Sequence, residues 1–456
     1  MEATRLQLGS MSLCTRETWP CWLHFKGACR KQTATQGYYR SRKHSVISAE
    51  QQNAVSRNTK LVTFLGKGGS GKTIASLLSA HHYASIGLRT CLVVQSQEPT
   101  VDYLLGGKVA SSPISFCDGA LDVVRLETTK LLLDPLAQLK KADAQLNFSQ
   151  GALDEVVGEE LSVLPGMDAL LALGAMEQRI GFAVDFLKGQ KADKSYDVVV
   201  YDGLSSEETL RLLGAAEKSR WYLQRARDLA EKTDTGRVTS PTILRLLETS
   251  VMQGSSGDNS GRTITELWDG ADKVLERISQ TFMDSRRFSC FLVMDPSSHL
   301  SVNAALRYWG CAAQAGLQVK GAFYAEIFAS DQQTQAQAEK FSPLLVSSLP
   351  SVPIDMGTDW SLAISNLSTS TKVLLQKDTC NDIPLPVEYN AKAKTVHFFL
   401  PGFEKSEIRL SQWRGGSALL IEVGDQRRVV QLPLSMRGKV SGAKFEGKTL
   451  VVTMKP

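Results

Sequence analysis

GKGGSGKT, residues 66–73, follows the apolar run KLVTFL at 60–65 and precedes a helical pattern from about Lys72 to Ile86. A triphosphate concentrates negative charge. Binding it takes several backbone N–H donors converging on one point, and glycine-rich backbone supplies them at close range. Gly66, Gly68, Gly69 and Gly71 provide that backbone, with Ser70 among them. In this pattern Lys72 reaches the β and γ phosphates, Thr73 offers a hydroxyl to Mg²⁺, and the helix start adds partial positive charge. A strand before and a helix after separate a working phosphate loop from a chance glycine turn. Lys67 is a second cation early in the loop, and taken alone it reads equally well as functional or as solvated.

Outward from the loop, TCLVVQ (90–95) completes a βαβ unit, and strand-length apolar runs return at YDVVVYD (196–202), CFLVMD (290–295) and VKGAFYAE (319–326). Near-continuous apolar strands separated by helices predict an α/β fold whose mostly parallel sheet is covered on both faces. Helical stretches at about 128–190 and 214–285 exceed a minimal nucleotide-binding core and are expected to form a helical subdomain. GSSGDNSG (254–261) reads as a mobile surface loop. Beyond KDTCNDIPLP (377–386) the pattern changes to alternating strands at TVHFFL (395–400), ALLIEV (418–423), RVVQLP (428–433) and TLVVTM (449–454). The expected organisation is an unfolded leader over 1–49, a P-loop domain over 50–377 and an all-β domain over 378–456.

The formal charge of the chain is +5, but residues 1–49 hold eight Lys or Arg against Glu2 and Glu17, so the rest carries a net −1. A basic nucleic-acid-binding body is therefore not indicated. The leader is rich in Ser, Thr and Arg and lacks the apolar core of a secretory signal, the composition of an organellar transit peptide. SVISAE (45–50) reads as its processing site, near Ser48 or Ala49. The plastid stroma is the expected destination, with a mitochondrial address and an uncleaved disordered tail as alternatives. No apolar run reaches the roughly 18 residues of a membrane-spanning helix, so an integral membrane protein is not expected. The eight cysteines include no CxxC pair, which gives no local zinc site and no disulfide framework.

With Lys67 in place, GKGGSGKT resembles the KGGxGKT loop of the family that contains the arsenical pump ATPase, the tail-anchored-protein targeting ATPase, the partition ATPases and nitrogenase iron protein. SQEPTVDYL (96–104) and DGLSSEETLRLL (202–213) resemble the two switches of the pump and targeting branches, and LPGMDAL (164–170) a further segment of theirs. LPGFEKSEI (400–408), RRVVQLP (427–433) and AKFEGKTLVV (443–452) resemble the α-crystallin domain of small heat-shock proteins, giving a β-sandwich appended to the ATPase as in the plastid branch of the family.

The resemblance implies ATP and Mg²⁺ as ligands; because the chain lacks the CxxC pair with which the cytosolic targeting branch holds its bridging zinc, neither zinc nor an iron–sulfur cluster is expected. It implies that Lys67 crosses a dimer interface to the partner's nucleotide, in a homodimer closed without a zinc bridge. It also implies that Asp202 holds Mg²⁺ through water and that Glu98, one methylene longer than the family's aspartate, orients the attacking water, with Asp102 as a second candidate. The second switch departs from the family at Ser205, Glu207 and Glu208, and the family's base-reading asparagine falls near Ala325. The expected function is a nucleotide-switched targeting factor or chaperone for hydrophobic clients. The alternative is a nucleotide-gated binding module with little turnover. The leucine stripe in 128–148 reads as core or as a client groove, and the β domain as a docked appendage or a chaperone surface.

Overall fold

The computed structural model describes residues 59–127, 169, 172–176, 196–232, 264–326, 331–354, 357–378, 383–424 and 426–455. Most of the expected helical insertion, the leucine stripe, the 254–261 loop and the leader lie outside these residues.

The strand runs read from sequence pair into one eight-stranded sheet. Its strands are β1 (Lys60–Leu65), β2 (Thr90–Val94), β3 (Ile114–Phe116), β4 (Leu121–Arg125), β5 (Val198–Asp202), β6 (Phe288–Met294), β7 (Val319–Ala325) and β8 (Leu345–Leu349), in the order β3-β4-β2-β5-β1-β6-β7-β8. All neighbours run parallel except β3, which pairs antiparallel with β4 at the edge. Strands β2, β4, β5 and β6 are buried along their whole length, as a sheet covered on both faces requires. The phosphate loop leaves β1 near the sheet's centre and runs into helix α1 (Lys72–Ser85).

Each face has its own apolar core. On one, Leu77, Leu78 and Tyr83 of α1 pack with Val94, Val200, Phe291 and Trp360. On the other lie α3 (Ser206–Lys232), α4 (Ile264–Met283) and α5 (His299–Gln314), after the short α2 (Thr100–Leu105). Leu213, Ile278, Val302 and Trp309 fill that second core. Among the described residues no helix is long and apolar enough to cross a membrane.

Two antiparallel sheets form the C-terminal part, ordered β14-β15-β10-β9 and β11-β12-β13. They comprise β9 (Val387–Asn390), β10 (Thr395–Phe399), β11 (Ile408–Trp413), β12 (Ala418–Val423), β13 (Gln426–Gln431), β14 (Lys439–Glu446) and β15 (Thr449–Lys455). Val396, Phe398, Leu419, Ile421, Leu450 and Val452 alternate inward, and this core is continuous with that of α3, α4 and α5.

The β domain seats on α5. Trp309 meets Phe399 edge-on at 5.1 Å, Arg307 Nη1 donates to Glu407 Oε1 at 2.6 Å, and Gln314 Nε2 donates to the Phe399 carbonyl at 3.2 Å. Gly310 admits the closest approach, since a Cβ there would stand 2.3 Å from the Pro401 oxygen. The chain entering the domain is anchored too. In the last turn of α8 (Thr369–Gln376), which follows α6 (Asp331–Phe341) and α7 (Trp360–Ser365), Tyr83 donates to the Leu375 carbonyl at 2.7 Å, and just beyond it the buried Lys320 donates to the Lys377 carbonyl at 3.1 Å. Lys60 pairs with Asp378 at 3.0 Å.

Gly310→Ala therefore overpacks the seat, an effect worth about 1–3 kcal/mol. Its expected outcome is a lower melting temperature, with the β domain becoming susceptible to limited proteolysis before the α/β core.

Candidate functional site

Four loops converge at the C-terminal ends of the parallel strands, where ligands of open α/β sheets bind. They are the phosphate loop after β1, residues 95–99 after β2, residues 203–205 after β5 and residues 295–298 after β6.

Gly69 (φ 80°) and Gly71 (φ 95°) take left-handed backbone, and a Cβ at Gly68, Gly69 or Gly71 would meet nothing within 4 Å. That is an open cradle. Gly66 is constrained differently, because a Cβ there would stand 2.2 Å from the Val293 carbonyl oxygen of β6. The Ser70 hydroxyl is buried without a hydrogen-bond partner, a hydrogen-bonding position left for a ligand. No acidic residue stands in the first turn of α1, so its N-terminal partial charge faces the cradle uncompensated.

Lys72 folds back over the loop and donates to the carbonyls of Gly66 (3.1 Å) and Lys67 (3.4 Å). Burial lowers its pKa, and the negative charges of Asp202 and Glu207 oppose that shift. Lys67 is exposed, with Nζ no closer than 3.5 Å to the Gly68 carbonyl.

Asp202 ends β5 beneath the cradle. Its Oδ1 accepts from Ser76 at 3.2 Å, and Thr73 bonds the same carboxylate. Burial pushes its pKa up to about 6 against those hydroxyls and Lys72. A buried carboxylate linked to the threonine hydroxyl is a hard-oxygen donor set of the kind Mg²⁺ takes beside nucleotide phosphates, so the residues fit that ion.

Glu98 lies on the exposed first switch, where its N–H donates to Ser96 Oγ at 3.1 Å. Asp102 is occupied elsewhere. Both its oxygens accept from Arg125 (2.9 and 3.2 Å) and Oδ1 also takes the Val109 N–H at 2.8 Å. Ala325 is the last residue of β7. Of LPGMDAL only Ala169 is described, in helical conformation and buried.

Sequence reasoning missed Ser206. Its hydroxyl accepts the Gly66 N–H at 2.8 Å and donates to the Gly66 carbonyl at 2.7 Å, joining the second switch to the loop. Serine carries no pattern of its own, and the 140 residues between the partners hide the contact. Glu207 Oε1, next along, accepts from Tyr308 at 2.5 Å.

A glycine cradle, an invading lysine and a buried carboxylate at the switch point of a parallel sheet define a P-loop nucleotide-binding protein. The chain belongs to the anion-transporting ATPase family, ArsA, whose profile matches residues 59–342. An HSP20-like domain found in ArsA matches residues 392–454. Similar proteins are a putative arsenical pump-driving ATPase of Prosthecochloris vibrioformis and one of Chlorobaculum tepidum, each 22% identical over 86% of this chain and 95% of the relative. A further one, from Aquifex aeolicus, is 20% identical over 87% of this chain and its own full length.

The folded-state pKa of Asp202 lies above its ordinary value, so the native protein binds a proton the unfolded chain has lost between about pH 4 and pH 6. Stability then falls as pH rises through that window and stays lowered above it. Asp202→Asn keeps an acceptor oxygen and removes the charge. Without nucleotide it should be on the order of 2 kcal/mol more stable than the native chain above pH 6, the difference closing near pH 4 in denaturant titrations.

Proposed function

We propose that this chain binds and hydrolyses ATP with Mg²⁺ and uses the cycle to capture and release hydrophobic clients. The junction at Gly66 carries this reading, because its carbonyl takes both the phosphate-loop Lys72 and Ser206 of the segment after β5, with the Asp202 carboxylate in electrostatic range of Lys72.

Lys72 exchanges its two carbonyl partners for phosphate oxygens, charge-assisted bonds worth more than the neutral contacts they replace. The Ser70 hydroxyl and the loop N–H groups take further oxygens. Thr73 and Asp202 would hold Mg²⁺, which would neutralise charge on the terminal phosphates. Glu98 orients the attacking water. Its exposed switch supports that role, and the Arg125 ion pair removes Asp102 from it. Lys67 reaches the nucleotide of a second copy in a homodimer that closes by packing and nucleotide, without zinc. Loss of the γ phosphate releases both switches, and the helices beyond them rearrange.

Residues 1–49 act as a plastid transit peptide, the ATPase unit runs over 50–377 and the β domain over 378–456. The support for the address is the basic, acid-poor leader. Ser205, Glu207 and Glu208 in the second switch favour slow turnover, and a gated binding module is the limiting case.

Steady-state hydrolysis by the full chain tests the enzyme reading. Lys72→Ala should lower kcat/KM by about 10²-fold or more, and Glu98→Gln should lower kcat by about 10-fold or more with ATP affinity retained. Turnover unchanged by either substitution eliminates hydrolysis at this site. For the address, a fluorescent protein behind residues 1–49 should enter isolated chloroplasts and be shortened near Ser48 or Ala49, while entry into mitochondria alone would replace that assignment.

A further inference from the structure

One contact outside the phosphate-binding groups joins the second switch to the helix that carries the β domain. Glu207 follows Ser206 directly and lies within electrostatic range of Lys72. Its Oε1 accepts the Tyr308 hydroxyl at 2.5 Å, and Tyr308 also bonds Ser206. A carboxylate so near the loop competes with a terminal phosphate for Lys72 and repels that phosphate through space. Tied by a short hydrogen bond, it stays in one place.

Tyr308 stands between the two α5 residues the β domain grips hardest. The Arg307 guanidinium lies 4.6 Å from the Phe403 ring centre and pairs with Glu407 at 2.6 Å, while Trp309 sits between Phe399 at 5.1 Å and the Lys448 ammonium at 5.2 Å. Successive helical residues point about 100° apart. The domain therefore holds two sides of α5 while the intervening residue aims at the switch. Farther along, Arg428 of β13 donates to the Ala313 carbonyl at 3.3 Å, a third hold of the domain on α5.

We propose that Tyr308 is a positioning residue of the ATPase, holding Glu207 away from the terminal phosphate, and that the docked β domain fixes the helix that aims it. The inference rests on the nucleotide reading above and adds a second contribution to ATP affinity, made by a domain that touches no phosphate. With Tyr308 lost, or the seat on α5 loosened, Glu207 swings toward Lys72 and opposes the incoming phosphate.

The test uses the full chain, with ATP hydrolysis and binding of a fluorescent ATP analogue measured for Tyr308→Phe, Glu207→Gln, the double variant, and Gly310→Ala with and without Glu207→Gln. Tyr308→Phe should raise KM and the analogue's Kd about 10-fold, as expected for one hydrogen bond to a charged group, with kcat within about twofold of native. Adding Glu207→Gln should bring both constants back to within about twofold of Glu207→Gln alone. Gly310→Ala should shift KM in the same direction and be relieved the same way. A packing defect at position 308 cannot be cured by neutralising residue 207, so a rise that persists in the double variant overturns the proposal, as does a Tyr308→Phe chain with native KM. Unaltered KM in Gly310→Ala overturns the part assigned to the β domain. Failure of the native chain to bind the analogue is a separate result and sinks the nucleotide reading itself.

Discussion

The carbonyl oxygen of Gly66 is the point on which the rest of the site depends. It accepts Lys72 at 3.1 Å and Ser206 at 2.7 Å, so the phosphate-seeking cation and the second switch are tied to one atom. In the proposed cycle, a ligand that draws Lys72 away would leave Ser206 as the remaining donor to that atom. The central place of β1 makes this economical. With β5 on one side and β6 on the other, the loop leaving β1 is flanked by Asp202 and by the Val293 carbonyl that forces glycine at 66.

The β domain belongs to the same physical system. Its apolar interior continues into the layer of α3, α4 and α5, and polar contacts from Arg307, Gln314 and Arg428 register the two parts. Helix α5 thus has two readers. The segment after β5 meets it through Tyr308 and the β domain through the residues on either side.

The sequence disclosed what local chemistry dictates. The glycine loop, its flanking strand and helix, and the buried central strands were all legible, because a fully buried strand must be apolar along its length. The unread strands are mostly edges. β3 and β8 border the large sheet, β9 and β14 border one small sheet and β11 the other. An edge strand meets solvent along one side and often on both faces, so its apolar pattern is diluted; β14 is mostly exposed. β4 went unread for another reason, since Asp122 and Arg125 interrupt its run although both are buried and partnered. In the site, the loop residues were readable and their long-range partners were not. Ser206 and Tyr308 matter through hydrogen bonds to distant atoms, and no spacing rule encodes those.

The anchoring of α8 sets how tightly the β domain must hold its seat. Tyr83 and Lys320 hold the backbone carbonyls of Leu375, Lys377 and Asp378, and Lys60 pairs with the Asp378 side chain, so only the short span from Asp378 to Val387 separates a fixed point from the first strand of the domain. Within that span Ile383 is buried in the apolar core and the Pro386 carbonyl accepts the Phe399 N–H, so the described part of the crossing is already seated. A domain joined over so few residues begins close to its partner surface, and its contacts on α5 set register rather than capture.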